Sequence, residues 1–201
     1  MKFTLAKKSS MTQFFSPNGE VFAATILTCE PLSVTQIKKV EGVDGYNAIQ
    51  VAMLQQKESR VSKAELGHFK GTGYKVVKEF RVDAGDLAVG ATIAADIFNA
   101  GDIVSVSSIS KGKGFQGVMK LHGFKGGWGQ HGQKHSAREA GSIGSTGQQR
   151  VNRGKKMPGR MGSDRITEKN REILDIDVEN GFILVKGAVA GKRGTLVEIK
   201  G

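Results

Sequence analysis

One stretch of this chain, Lys111 to Arg171, carries all of its net positive charge and half of its glycines. It holds 14 Lys or Arg against three acids (Glu139, Asp164 and Glu168), together with 14 of the 28 glycines. The remaining 140 residues carry 16 basic and 16 acidic side chains and are neutral as a set. From Gly126 to Arg165 the only large apolar side chains are Trp128, Ile143, Val151, Met157 and Met161. Such a segment buries too little surface to offset the entropy lost in ordering it. Its cations repel one another unless a polyanion comes between them, and a rod of phosphates is the fitting partner.

The neutral remainder is rich in Val, Ile, Phe and Leu and is long enough for a real core. A single cysteine, Cys29, excludes an internal disulfide and a multi-cysteine zinc site, which fits a reducing compartment such as the cytoplasm. The apolar runs are strand-sized, so no transmembrane helix is expected. The opening Met1-Lys2-Phe3-Thr4-Leu5 lacks the apolar stretch of a secretory signal and runs straight into patterned sequence, which leaves no room for a transit peptide. Membrane-surface helices pair basic residues with a continuous apolar face, and residues 111–171 have none. Nucleic acid is therefore the expected partner, with no membrane and no small-molecule substrate.

Outside the basic stretch the pattern is that of short strands broken by turn chemistry. Asn18-Gly19 precedes the apolar run Val21 to Leu27, and Asp44-Gly45 precedes Tyr46 to Met53, where Ile49, Val51 and Met53 alternate. That alternation suits a sheet with one buried and one wet face. Ser33 to Val40, Tyr74 to Val82 and Ile103 to Ile109 read as further strands, and Ser62-Lys63-Ala64-Glu65 matches a capping box that predicts a short helix over Lys63 to His68. After the basic stretch the pattern resumes with Ile173 to Val178, Asn180-Gly181, Phe182 to Val185 and Thr195 to Ile199. Asn180-Gly181 between two apolar runs is the strongest hairpin signal. Many short strands with Gly-rich turns predict a mainly β fold with little helix, a barrel or sandwich. Residues 1–110 and 172–201 are expected to form it, with 111–171 as an insertion.

Several motifs suggest other chemistry. Gly112-Lys113-Gly114-Phe115-Gln116-Gly117 matches the dinucleotide fingerprint, which needs a crossover helix directly after it; Val118 to Gly127 is too short and glycine-broken for a standard crossover helix. Its glycines fit close approach of backbone to phosphate instead. His131 and His135 have the second-half spacing of a zinc finger, but no Cys pair precedes them, so no metal and no cofactor is expected. His68 fits a surface or hydrogen-bonded role. Cys29, at the end of an apolar run, reads as a buried structural thiol. No nucleophile elbow or carboxylate pair stands out, and the chain is not expected to be an enzyme.

The basic clusters are the stronger signal. Lys111, Lys113, Lys120 and Lys125 interleave with Phe115, His122, Phe124 and Trp128. His131, Lys134, His135 and Arg138 follow, then Arg150, Arg153, Lys155, Lys156, Arg160 and Arg165. Trp128 lies among Gly126, Gly127 and Gly129, a setting for stacking on a nucleobase rather than for a core. With no recognition helix in the pattern, RNA is preferred to duplex DNA.

The run Ser110-Lys111-Gly112-Lys113-Gly114-Phe115-Gln116-Gly117-Val118-Met119-Lys120, followed by His122-Gly123-Phe124-Lys125-Gly126-Gly127, closely resembles the signature of the universal L-three family of large-subunit ribosomal proteins, in its bacterial type. So do Gly141-Ser142-Ile143-Gly144 and Arg153-Gly154-Lys155-Lys156-Met157-Pro158-Gly159-Arg160-Met161-Gly162. Further matches include Met11-Thr12-Gln13, Asp44-Gly45-Tyr46-Asn47-Ala48, Leu66-Gly67-His68-Phe69 and Leu184-Val185-Lys186-Gly187-Ala188-Val189. The resemblance implies a β-barrel of the kind shared with translation factors, carrying an extended loop (about 126–165) that runs through rRNA towards the peptidyl transferase centre. It also implies a role in early subunit assembly, beside neighbouring large-subunit ribosomal proteins. By this resemblance, the matched basic and glycine residues of 111–125 and 153–162 contact rRNA. The chain departs from the family pattern at Ser10, usually glycine, and at Trp128 to His131. It also lacks a proline that commonly follows a methylatable glutamine, for which Gln148 and Gln149 are the candidates here. The alternative reading is a free-standing RNA-binding regulator or RNA chaperone.

Overall fold

The structure, a computed structural model, describes residues 2–83, 85 and 87–201. In chain order its strands are β1 (Phe3–Phe15), β2 (Val21–Cys29), β3 (Leu32–Lys38), β4 (Ala48–Gln55), β5 (Tyr74–Phe80), β6 (Thr92–Ile93), β7 (Ile103–Ile109), β8 (Gly114–Gln116), β9 (Gly159–Met161), β10 (Arg165–Asp177), β11 (Phe182–Lys186) and β12 (Leu196–Lys200). Two short helices join them, α1 (Lys63–His68) and α2 (Val118–His122). The chain forms two compact units: Met1–Ile109 with Arg165–Gly201, and Ser110–Asp164. Residues 165–171, part of the basic stretch by charge, lie in the first unit because Arg165 to Glu172 pair with β7.

The first unit is built on a closed six-stranded barrel in the order β1-β12-β7-β10-β11-β2, with every neighbouring pair antiparallel. Closure demands strands that bend, and bulges supply the bend. The 13-residue β1 shifts register between Lys8 and Met11, so its first half serves β12 and its second half serves β2 alone. The 13-residue β10 does the same between β7 and β11, with Asn170 in a left-handed conformation beside one of its register shifts.

Bulges also account for hydrophobic spacings that do not suit a flat strand. Val34 and Ile37 are three apart, which would put them on opposite faces of a regular strand. A register shift between Val34 and Gln36 returns both to the same core. Ile173 and Ile176 are brought together by the equivalent shift between Ile173 and Asp175.

Two cores result. Inside the barrel Leu27, Val104, Val106, Ile173, Ile183, Val185, Val197 and Ile199 pack around Ala6. On the outer face of β1, Phe3 and Leu5 pack against the second sheet, β5-β4-β3-β6, through Leu32, Val34, Ile49, Val51, Met53 and Phe80. Phe3 stacks on Phe80 with ring centroids 4.4 Å apart. β1 therefore buries both of its faces, which explains how one strand ties the barrel to the sheet. On β4 the expected wet face is partly closed as well, since Ala48 and Ala52 are buried beside Ile49, Val51 and Met53.

The expected turn and cap signals are where local chemistry puts them. Gly19, Gly45 and Gly181 all have positive φ, and the β10–β11 hairpin closes at Asp177 opposite Phe182. Ser62 caps α1 reciprocally with Glu65, as the sequence predicts. After the fingerprint, α2 is only five residues long, too short for a crossover helix. Gly117 to Gly123 does form a helical turn, with Gly117 as N-cap and Gly123 left-handed at its C-terminal end (φ 70°). The glycines bound this helix rather than break it.

Candidate nucleic-acid interface

The unit Ser110–Asp164 is closed at its two ends by backbone pairing. β8 and β9 are antiparallel, with Phe115 opposite Arg160. The Lys113 amide donates to the Met161 carbonyl at 2.9 Å, and the Ser110 amide donates to the Asp164 carbonyl at 2.9 Å. Glycine is required at this neck. A Cβ on Gly162, which has φ 77°, would stand 2.2 Å from the Lys111 carbonyl oxygen. Further along, a Cβ on Gly126 (φ 76°) would meet the Ala137 carbonyl at 2.3 Å. That carbonyl accepts from the Gly127 amide at 3.0 Å.

α2 lies beside β9, and its Val118 is the one large apolar side chain of this unit that is fully buried among the described residues. His122 donates through Nε2 to the Met157 carbonyl at 2.9 Å. It is half-buried, so it fastens α2 to the returning strand segment rather than standing free for a ligand.

Electrostatics separate the two units more sharply than the sequence count alone. Every ion pair among the described residues lies in the first unit. Lys38, for example, lies 2.9 Å from Glu79 and 3.2 Å from Asp44. Hydrogen bonds to Tyr46 and Glu79 push its ammonium pKa up, and Lys38 in turn holds the Glu79 carboxyl below its usual range. The eleven Lys and Arg of Ser110–Asp164 enter no ion pair among the described residues.

Those eleven cations are Lys111, Lys113, Lys120, Lys125, Lys134, Arg138, Arg150, Arg153, Lys155, Lys156 and Arg160, and all are exposed. His131 and His135 are exposed too, with Trp128 87% and Phe115 76% open to solvent. Two aromatic faces and a set of uncompensated cations thus share one glycine-rich unit, which is what a phosphate backbone with accessible bases requires. Arg165 differs from the rest of the expected set. It lies on β10, and its guanidinium grips Glu198 through two hydrogen bonds, of 3.1 and 2.5 Å. Gln148 and Gln149 are exposed at a short helical turn, with Gln149 left-handed.

The other motifs resolve locally. Gly114 to Gln116 of the fingerprint form a strand paired antiparallel with β9, not the parallel unit of a dinucleotide fold. Cys29 is buried, and burial pushes its thiol up to about 12, which makes it unreactive. No group of three His, Cys, Asp or Glu among the described residues is placed to hold a metal. No helix among them is long and apolar enough to cross a membrane.

Comparison with known proteins gives a consistent family. The model of the family described as Ribosomal protein L3 matches residues 3–179. The chain is 45% identical over 201 residues to the large ribosomal subunit protein uL3 of Desulfotalea psychrophila, an alignment covering 97% of this chain and 95% of that protein. It is 42% identical over 202 residues to uL3 of Oceanobacillus iheyensis, with 98% and 96% covered. With uL3 of Bacillus thuringiensis it shares 42% identity over 204 residues, with 100% and 96% covered.

Proposed function

The chain belongs to the ribosomal protein L3 family, a structural component of the large ribosomal subunit and not an enzyme, and on that premise we propose that it binds large-subunit rRNA through Ser110–Asp164. In this reading the exposed cations neutralise phosphates, glycine-rich backbone packs closely against the RNA, and Trp128 and Phe115 stack on bases. The loop over about 126–165 reaches towards the peptidyl transferase centre, and binding supports early subunit assembly beside neighbouring ribosomal proteins. The observation that carries the proposal is the set of eleven exposed cations without an ion pair among the described residues, against a first unit that holds every ion pair found among them.

The test is chemical footprinting on naked large-subunit rRNA at moderate salt, with excess competitor RNA. A compact protected site is expected, shrinking when residues 128–152 are replaced by a short Gly-Ser linker that spares the β8–β9 neck. Diffuse protection abolished by competitor would favour the regulator or RNA chaperone instead.

A further inference from the structure

A second candidate RNA contact lies in the first unit, at the connection between β4 and β5. There a cavity of about 300 Å³ is lined by Ser33, Val34, Thr35, His68, Phe69, Lys70, Tyr74, Val89 and Gly90. Backbone bonds between Val34 and the 90–91 segment, at 2.8 and 2.9 Å, support its floor. Its aromatic side is ordered: Phe69 meets Tyr74 edge to face at 5.6 Å, and His68 meets Phe69 at 4.8 Å. His68 is itself held, with Nε2 2.9 Å from Gln50 Oε1, which also accepts from Thr35 Oγ1 at 2.9 Å. Phe69 and Tyr74 are half-buried, so each keeps open surface without needing to leave its packing.

The chain segment that supplies the rings is cationic. Residues 57–75 carry Lys57, Arg60, Lys63, Lys70 and Lys75 against Glu58 and Glu65. Glu65 is occupied by the capping box, its Oε2 accepting from the Ser62 hydroxyl at 2.9 Å. None of the five cations enters an ion pair among the described residues. Lys70 sits at the cavity edge in a left-handed conformation (φ 54°), an arrangement that costs backbone energy for a non-glycine residue. Aromatic faces in a small cavity, with the ion-pair-free Lys70 in its lining, match a nucleobase and its phosphate. An acidic peptide would use the cations but would leave the ordered rings without a planar partner.

We propose that this cavity receives one unpaired rRNA nucleotide, its base against Phe69 and Tyr74 and its phosphate at Lys70. The inference rests on the rRNA reading above and adds to it a contact outside Ser110–Asp164. The sequence placed no binding residue here, because five cations among two acids over 19 residues do not stand out, and Phe69, Lys70 and Tyr74 share a cavity with residues 33–35 and 89–90 only in the fold.

The test is ultraviolet crosslinking of the full chain to large-subunit rRNA, followed by trypsin and mass spectrometry. Nucleotide adducts are expected on the peptides Ala64–Lys70 or Gly71–Lys75 as well as on peptides from Ser110–Asp164. Adducts confined to Ser110–Asp164 would overturn the cavity proposal and leave the rRNA reading standing, whereas adducts on neither would sink both. Phe69→Leu and, separately, Lys70→Ala are expected to expose one otherwise protected nucleotide and keep the rest of the footprint. Phe69→Leu should lower affinity for a short oligonucleotide spanning that nucleotide by roughly tenfold. Lys70 is exposed and enters no ion pair among the described residues, so its variant serves even if Phe69→Leu is unstable. An unchanged footprint in a folded Lys70→Ala protein, or loss of a neighbouring protein with no nucleotide exposed, would overturn the assignment.

Discussion

Replacing Lys155, Lys156 and Arg160 together by Ala removes three of the eleven exposed cations in Ser110–Asp164. None enters an ion pair among the described residues, and Arg160 takes part in β9 through its backbone. The thermal midpoint of the protein should therefore not move. Each phosphate contact contributes about 0.7–0.9 to the slope of log affinity against log salt, so the eleven cations of Ser110–Asp164 contribute at most about 8–10 to that slope. The triple variant should lower it by about 2–2.7. At that bound, doubling the salt weakens the parent by roughly 200- to 1,000-fold and the variant by only about 50- to 150-fold. The assay is filter binding or fluorescence anisotropy with a large-subunit rRNA fragment over a salt series. An unchanged slope in a folded variant would mean that these side chains face solvent in the complex, and the electrostatic argument would fail at its strongest cluster.

Other consequences are smaller in scope. Gly162→Ala forces a Cβ into the Lys111 carbonyl at positive φ, so hydrogen exchange at the Lys113 amide should quicken about tenfold or more while barrel amides keep their protection. Ile183→Ala, in the barrel core, should cost about 2–5 kcal/mol in urea unfolding without changing rRNA contacts. Because Lys38 lowers the Glu79 pKa, that pair's contribution is present above the unfolded carboxyl value near ~4.3 and is lost as pH falls through the lower folded value. The stability gap between parent and Glu79→Gln should thus be flat at neutral pH and close on acidification. Lys38, whose folded pKa is raised, gives stability that is complete below about 10.4 and disappears as pH rises through its folded value. Cys29, pushed up to about 12 by burial, should resist iodoacetamide at neutral pH in the folded protein and react once it is unfolded.

Two kinds of information were legible in the residues. Charge composition is additive along a chain, so the split between a neutral part and a basic glycine-rich part needed no coordinates. Turn and cap chemistry is local: Asn180-Gly181 and the Ser62–Glu65 box act within four residues, and both form as expected. What the fold alone decided is long-range. Arg165 counts as one more cation until β10 brings it against Glu198, 33 residues away, and residues 165–171 read as part of the basic stretch until they pair with β7. The three-residue spacings at Val34–Ile37 and Ile173–Ile176 acquire a common face only through bulges, which depend on a partner strand. The cavity at Phe69 and Tyr74 likewise exists only because the 89–90 segment closes against β3. A sequence records which groups are present and what they do to their neighbours along the chain; which charges stay uncompensated, and which rings share a wall, follows from pairings made across it.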